Sequence, residues 1–137
     1  MSNKIIETST ATLHMIEEDV LCIRFKPYMM LDLNHLYENR EAIYSLIGEN
    51  LVYVVSVPYE DTLMTKEFRE LFTKKSIRNF KKGEAVVINT LAQHLLAQHV
   101  QKTKNSDYPL QFVSNETEAL EWISSLKKLE FTKSNDY

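Results

Sequence analysis

The sequence predicts one α/β domain of order β-β-α-β-α-β-α-β-α, and three observations carry that expectation. Runs rich in β-branched and aromatic residues alternate with segments whose apolar residues recur at helical spacing. Most junctions between them carry a capping or breaking residue. One run, Leu51 to Val57, is apolar almost throughout, as a strand covered on both faces must be. Alternating strands and helices imply right-handed crossovers, hence a mostly parallel mixed sheet of about five strands with one antiparallel hairpin.

Residues 11 to 17 and 20 to 25 are strand-like and separated by Glu18-Asp19, a hairpin signal. Asp32 can cap a first helix whose apolar positions are Leu33, Leu36, Tyr37, Ile43, Tyr44 and Ile47, and Gly48 is placed to end it. Leu51 to Val57 is the central strand, stopped by Pro58. A second helix carries Met64, Phe68, Leu71 and Phe72, with Asp61, Thr62 and Thr65 as competing caps. Ala85 to Asn89 is the next strand, running into a Thr90-x-x-Gln93 capping box that opens a third helix. Leu110 to Val113 is the last strand, and Asn115 with Glu118 caps a helix bearing Ala119, Trp122, Ile123 and Leu126. On this reading residues 1–10 are an extension, 11–128 the domain and 129–137 a polar, fraying tail.

Composition narrows function by exclusion. Hydrophobic residues at 44% and charged residues at 26% match an ordinary globular chain, so 137 residues support one core. A formal net charge of −3 disfavours nucleic acid as a partner. No apolar stretch has the length of a signal peptide or membrane span. The single cysteine, Cys22, lies in an apolar run and reads as a buried thiol, which fits a reducing, cytoplasmic setting. Two glycines, Gly48 and Gly83, leave no glycine-rich phosphate loop, and no cofactor is expected.

The opening hairpin, the run from Ala85 through helix Thr90 to Gln101, and the segments Pro109-Leu110-Gln111-Phe112 and Ala119-Leu120-Glu121-Trp122-Ile123 together resemble the STAS-like fold of anti-sigma factor antagonists, most closely a bacterial branch grouped with them. The likeness spans roughly residues 11 to 128. It implies a regulatory domain that binds another protein and is switched by phosphorylation of a Ser or Thr beside an Asp, after the central strand. Asp61-Thr62 is similar to that element, with Leu63 and Met64 where the family has small residues.

A phosphate on Thr62 would sit near a helix N-terminus, where amides and dipole favour anions; the plainer reading of Asp61, Thr62 and Thr65 is capping. Lys74, Lys75, Arg78, Lys81 and Lys82 put five cations within nine residues at the end of the second helix and in the following loop. They form either a patch for an acidic partner or a solvated helix end. His94 and His99 are five apart and diverge by about 140° on a helix, and neither they nor His14 and His35 have ligand-type neighbours at metal-site spacing. No metal site is expected. Glu60 and Asp61 follow the central strand, where open α/β sheets bind ligands, but adjacent carboxylates alone do not make an acid-base pair. No serine, Ser56 included, lies in a Gly-x-Ser-x-Gly elbow. Tyr28, Met29 and Met30 read as packing beneath the first helix or as a small adaptable surface. The expected function is a non-enzymatic interaction domain docking through Asp61, Thr62 and Thr65. The alternative is a carrier of a small apolar or lipid ligand, and homodimerisation is left open.

Overall fold

The computed structural model describes residues 4–27, 30–59, 63–72, 79–103 and 109–135. In chain order the elements are β1 (Ile5–Glu7), β2 (Ala11–Glu17), β3 (Val20–Phe25), β4 (Met30–Leu31), α1 (Leu33–Ile47), β5 (Val52–Val57), β6 (Leu63–Met64), α2 (Lys66–Phe72), β7 (Lys81–Val87), α3 (Leu91–Thr103), β8 (Leu110–Val113) and α4 (Glu116–Asn135). Six strands make one sheet in the order β1-β2-β3-β5-β7-β8. The first two pairings are antiparallel and the next three parallel, so the sheet is mixed and mostly parallel, as expected.

The pleat divides the apolar residues between two layers. On one face Leu13, Leu21, Ile23, Val52 and Val54 pack with Ile43 and Ile47 of α1, and Leu31, Leu36 and Phe68 extend this layer to α2. On the other, Val20, Tyr53, Val55, Ala85 and Val87 pack beneath Ala119 and Ile123 of α4. The central β5 feeds both layers, which is why its sequence shows no alternation. Gly83 lets α4 approach closely, because a Cβ there would stand 3.0 Å from Leu126 Cδ1.

Caps set the helix boundaries. The Asp32 carboxylate accepts from the His35 amide at 3.2 Å while His35 Nδ1 accepts from the Asp32 amide at 3.1 Å. Thr90 and Gln93 exchange the same pair of bonds, at 3.1 and 3.2 Å. Asn115 Oδ1 accepts from the Glu118 amide, and Glu118 reaches back one residue further, to the Ser114 amide. These three start signals were legible because each is a local bond between residues three or four apart.

Several expectations need correction. Residues 5–7 of the supposed extension form an edge strand registered on Thr12 to His14, since Ile5 and Ile6 are β-formers, too few to register as a periodic signal. The last helix continues through the supposed tail to Asn135, carried by helix-forming Lys, Leu and Glu residues beyond its apolar stripe. Leu63 and Met64 pair with Met30 and Leu31 in a short parallel ribbon instead of opening the second helix, which begins after Thr65. Tyr37 and Tyr44, expected on the buried face of α1, are 50% and 60% exposed; Asn39 takes the inner position instead. Strand β7 starts four residues before Ala85.

Gly48 ends α1 at φ +61° with its amide bonded to Tyr44 O at 2.7 Å, and a Cβ there would touch nothing within 4 Å. Gly48→Ala should therefore cost about 1–3 kcal/mol of unfolding free energy through backbone strain alone; urea denaturation showing no loss would contradict that assignment.

Candidate functional site

The site begins with an irregularity in the sheet. Val52 registers on Lys81 but Tyr53 on Gly83, so one extra residue, Lys82, is inserted into β7. Beyond it Glu84 faces the α1 layer, wholly buried. A carboxylate without solvent must be answered by hydrogen bonds and a cation. Lys81 Nζ supplies one at 2.9 Å from Glu84 Oε1, its own side chain only 6% exposed, and Ser56 Oγ donates to Glu84 Oε2 at 2.7 Å.

Above this trio lies a small chamber of about 50 Å³ between α1, α2 and the sheet, lined by Phe25, Leu36, Ile43, Phe68 and Phe80 among its apolar residues and by Asn39, Arg40, Ser56 and Lys81 among its polar ones. Asn39 is held from the far side, accepting from Thr8 Oγ1 at 2.6 Å and donating to Thr10 Oγ1 at 3.1 Å, which ties α1 to the β1–β2 turn. Arg40, Ile43 and Phe80 also line a second, larger cleft of about 290 Å³, whose outer wall is Tyr44, Ile47 and Leu51 with Asn79 opposite. At its rim Tyr37, Arg40, Glu41 and Tyr44 make a continuous outward stripe on α1. The chamber lies under α1, between Ser56 near the carboxyl end of β5 and Lys81 at the start of β7, and the larger cleft opens toward the amino end of β5 beside Leu51.

The sequence-derived candidates separate differently. Asp61, Thr62, Lys74, Lys75 and Arg78 lie outside the described residues, as do Glu60, Tyr28 and Met29. Thr65 Oγ1 accepts from the Phe68 amide at 3.1 Å and so caps α2. Lys81 is not a loop cation: it is in β7, turned inward and paired with Glu84. Lys82, also in β7, holds its ammonium 5.6 Å from the centre of the Tyr53 ring. His35 serves the α1 capping box, and His94 is on the exposed part of α3. Cys22 is buried on the α4 face, its Sγ 3.9 Å from Glu116 Oε1. The sequence reading missed Glu84, Asn39, Arg40 and Phe80. The available signal was Glu84 abutting an apolar strand with a lysine three residues before it.

Ser56 is placed as a hydrogen-bond donor: its Oγ donates to Glu84 Oε2, and its backbone pairs in the sheet between Ile23 and Val86. Among the described residues no group of three or more histidine, cysteine or acidic side chains is placed to hold a metal ion. Nor is any helix among them long and apolar enough to cross a membrane.

Fold and cleft together define a small mixed α/β domain with a polar-floored recess under its first helix. The chain belongs to the family described as a domain of unknown function (DUF7793), which matches residues 14–127. No curated protein and no solved structure matches it.

Two outcomes follow from this geometry. Lys81→Met alone should destabilise the fold by about 3–5 kcal/mol because it strands a buried carboxylate, whereas Lys81→Met with Glu84→Leu should recover most of that loss. Chemical denaturation of the single and double variants measures it, and equal losses would contradict the pairing. Burial pushes the Cys22 thiol up to about 11, so at pH 8 it is protonated as well as covered. Native protein should resist a thiol-specific disulfide reagent that reacts fully in urea, and rapid native labelling would count against this placement.

Proposed function

We propose that this domain is a non-enzymatic binding module that docks another protein on the α1 face, over the cleft between α1 and Asn79-Phe80. The observation that carries the reading is the outward stripe of Tyr37, Arg40 and Tyr44 beside a recess. Tyrosine and arginine are the residues that concentrate binding energy at protein interfaces, and they do so best when flanking a pocket that a partner side chain can fill. Exposed Leu51 extends the same rim. The STAS-like resemblance supports a regulatory role for such docking, and with it a bacterial, cytoplasmic setting. The phosphoswitch at Thr62 is part of that resemblance, while the capping bond of Thr65 favours a structural duty for the latter.

Volume lends less support to a carrier of a whole lipid. The enclosed chamber of about 50 Å³ compares with roughly 300 Å³ or more for sites that swallow a ligand. The larger cleft is open to one side, which suits an anchor residue better than an enclosed cargo.

Affinity capture from the source cells with wild-type protein, a Tyr37→Ala/Tyr44→Ala variant and a Thr65→Ala variant tests the reading. The expected result is a partner lost by at least tenfold with the tyrosine pair and kept with Thr65→Ala, thermal unfolding of both variants confirming that they fold. A partner indifferent to the tyrosines but lost with Thr65→Ala would move the interface back to α2.

A further inference from the structure

Along α1 the exposed stripe reads Tyr37, Arg40, Glu41, Tyr44, and these four line one shallow hollow. They span two helical turns, about 10.5 Å. The order is self-complementary under reversal: from the other end it reads aromatic, acid, base, aromatic. A second α1 laid antiparallel, with a two-fold axis between residues 40 and 41, sets Tyr37 opposite Tyr44 of the second copy and Arg40 opposite its Glu41. Each contact is then made twice, as an isologous interface requires. A parallel copy in register would instead oppose like charges.

The surroundings suit the same arrangement. Asn34 and Ser45, exposed beside the stripe, are uncharged. The cleft of about 290 Å³ opens beside Arg40 and Tyr44, with Ile47, Leu51 and Phe80 as apolar walls and Glu49 at its border. Tyr37 of the second copy, set against Tyr44, lies at that opening. Its ring can cover Ile47 and Leu51 while its hydroxyl offers a donor to a rim that holds Glu49. Arg40 already has an interaction within its own chain, and a guanidinium with five donors serves two partners. Half-exposed tyrosines offering about 100 Å² each, with Leu51 and the stems of Arg40 and Glu41, make a seam below the roughly 1,200 Å² of a stable complex. Such a seam gives a weak, reversible dimer.

From this register we propose that the α1 face docks a second copy of this chain, as an antiparallel two-fold dimer in which each copy's Tyr37 covers the other's cleft. The inference rests on the reading of that face as an interface and names its occupant. The tyrosines supply the binding. The Arg40–Glu41 pairs set direction and register, because exposed ion pairs add little strength but like charges brought together cost more.

Sedimentation equilibrium of the full-length protein, from about 5 µM to about 1 mM at low salt, tests it. The expected result is a monomer–dimer equilibrium with a dissociation constant of about 10–500 µM. Glu41→Arg sets arginine against arginine twice and should weaken the dimer about tenfold; Arg40→Glu/Glu41→Arg restores opposite charges in the same register and should recover most of that loss. Tyr37→Ala/Tyr44→Ala should leave only monomer, and Leu95→Ala on exposed α3 should change nothing, with thermal unfolding showing that each variant folds. Should replacing Arg40 disturb folding, the register is read from cysteines instead. An equimolar mixture of Tyr37→Cys and Tyr44→Cys should oxidise to a cross-linked pair, and neither variant alone should do so. A monomer at every concentration overturns the inference, as does a dimer indifferent to Glu41→Arg and to the tyrosine pair. A chain that stays monomeric yet loses a different captured protein with the tyrosine pair removes the second copy as occupant and leaves docking on α1 standing.

Discussion

Glu84 is a carboxylate in the middle of a parallel strand with no access to water, and much of one side of this molecule is arranged around that fact. An unpaired charge there would cost several kcal/mol even after relaxation. The chain meets the demand locally: the extra residue in β7 brings Lys81 round to the same face as Glu84, and Ser56 on the neighbouring strand takes the second oxygen. Because three polar side chains then occupy floor that apolar residues would otherwise fill, α1 and α2 cannot close completely on the sheet. The chamber is what remains.

The two faces of the sheet therefore do different work. Beneath α4 the packing is dry and close, with Leu126 over Gly83 and Ala119 and Ile123 wholly covered. The helix is further pinned at its first turn by the Arg24–Glu116 ion pair and just past its middle by Lys127 with Glu17 and Asp19. These exposed pairs add little energy each but fix where α4 lies. Beneath α1 the packing is interrupted by Asn39 and by the Lys81–Glu84–Ser56 trio, and the outward stripe of tyrosines stands directly over the interruption. A rigid, well-packed rear face behind a recessed front face is the arrangement a binding module requires, since the scaffold then holds the site open at no further cost.

How much of this could be read in advance depended on whether the deciding interaction was local. Three helix starts and the glycine stop of α1 were legible, because Asp32, Thr90, Asn115 and Gly48 act within four residues of themselves. The hairpin and the central strand were legible from β-forming runs. The start of β7 was not, because Lys81-Lys82-Gly83-Glu84 has the composition of a loop, and only the partner strand reveals that its charges pair inward. The same non-local cause turned a supposed surface patch partly into a floor. Tyr37 and Tyr44 satisfied helical spacing for the core, yet the polar clamp of Thr8 and Thr10 on Asn39 rotates α1 so that both tyrosines face out. The candidate site was thus largely invisible in the sequence, since each of its polar members is defined by a contact across strands or between helix and sheet.

The claim on which the account depends is that the Lys81 ammonium is enclosed against Glu84. Side-chain ammonium spectroscopy of labelled protein reads this directly, through the proton exchange rate of Lys81 and its contacts to neighbouring protons. Slow exchange, with cross-peaks from the Lys81 methylenes to Phe68, Phe80 or Ile43, is the result the account predicts. Exchange as fast as that of the exposed Lys66, with no such cross-peaks, would contradict it.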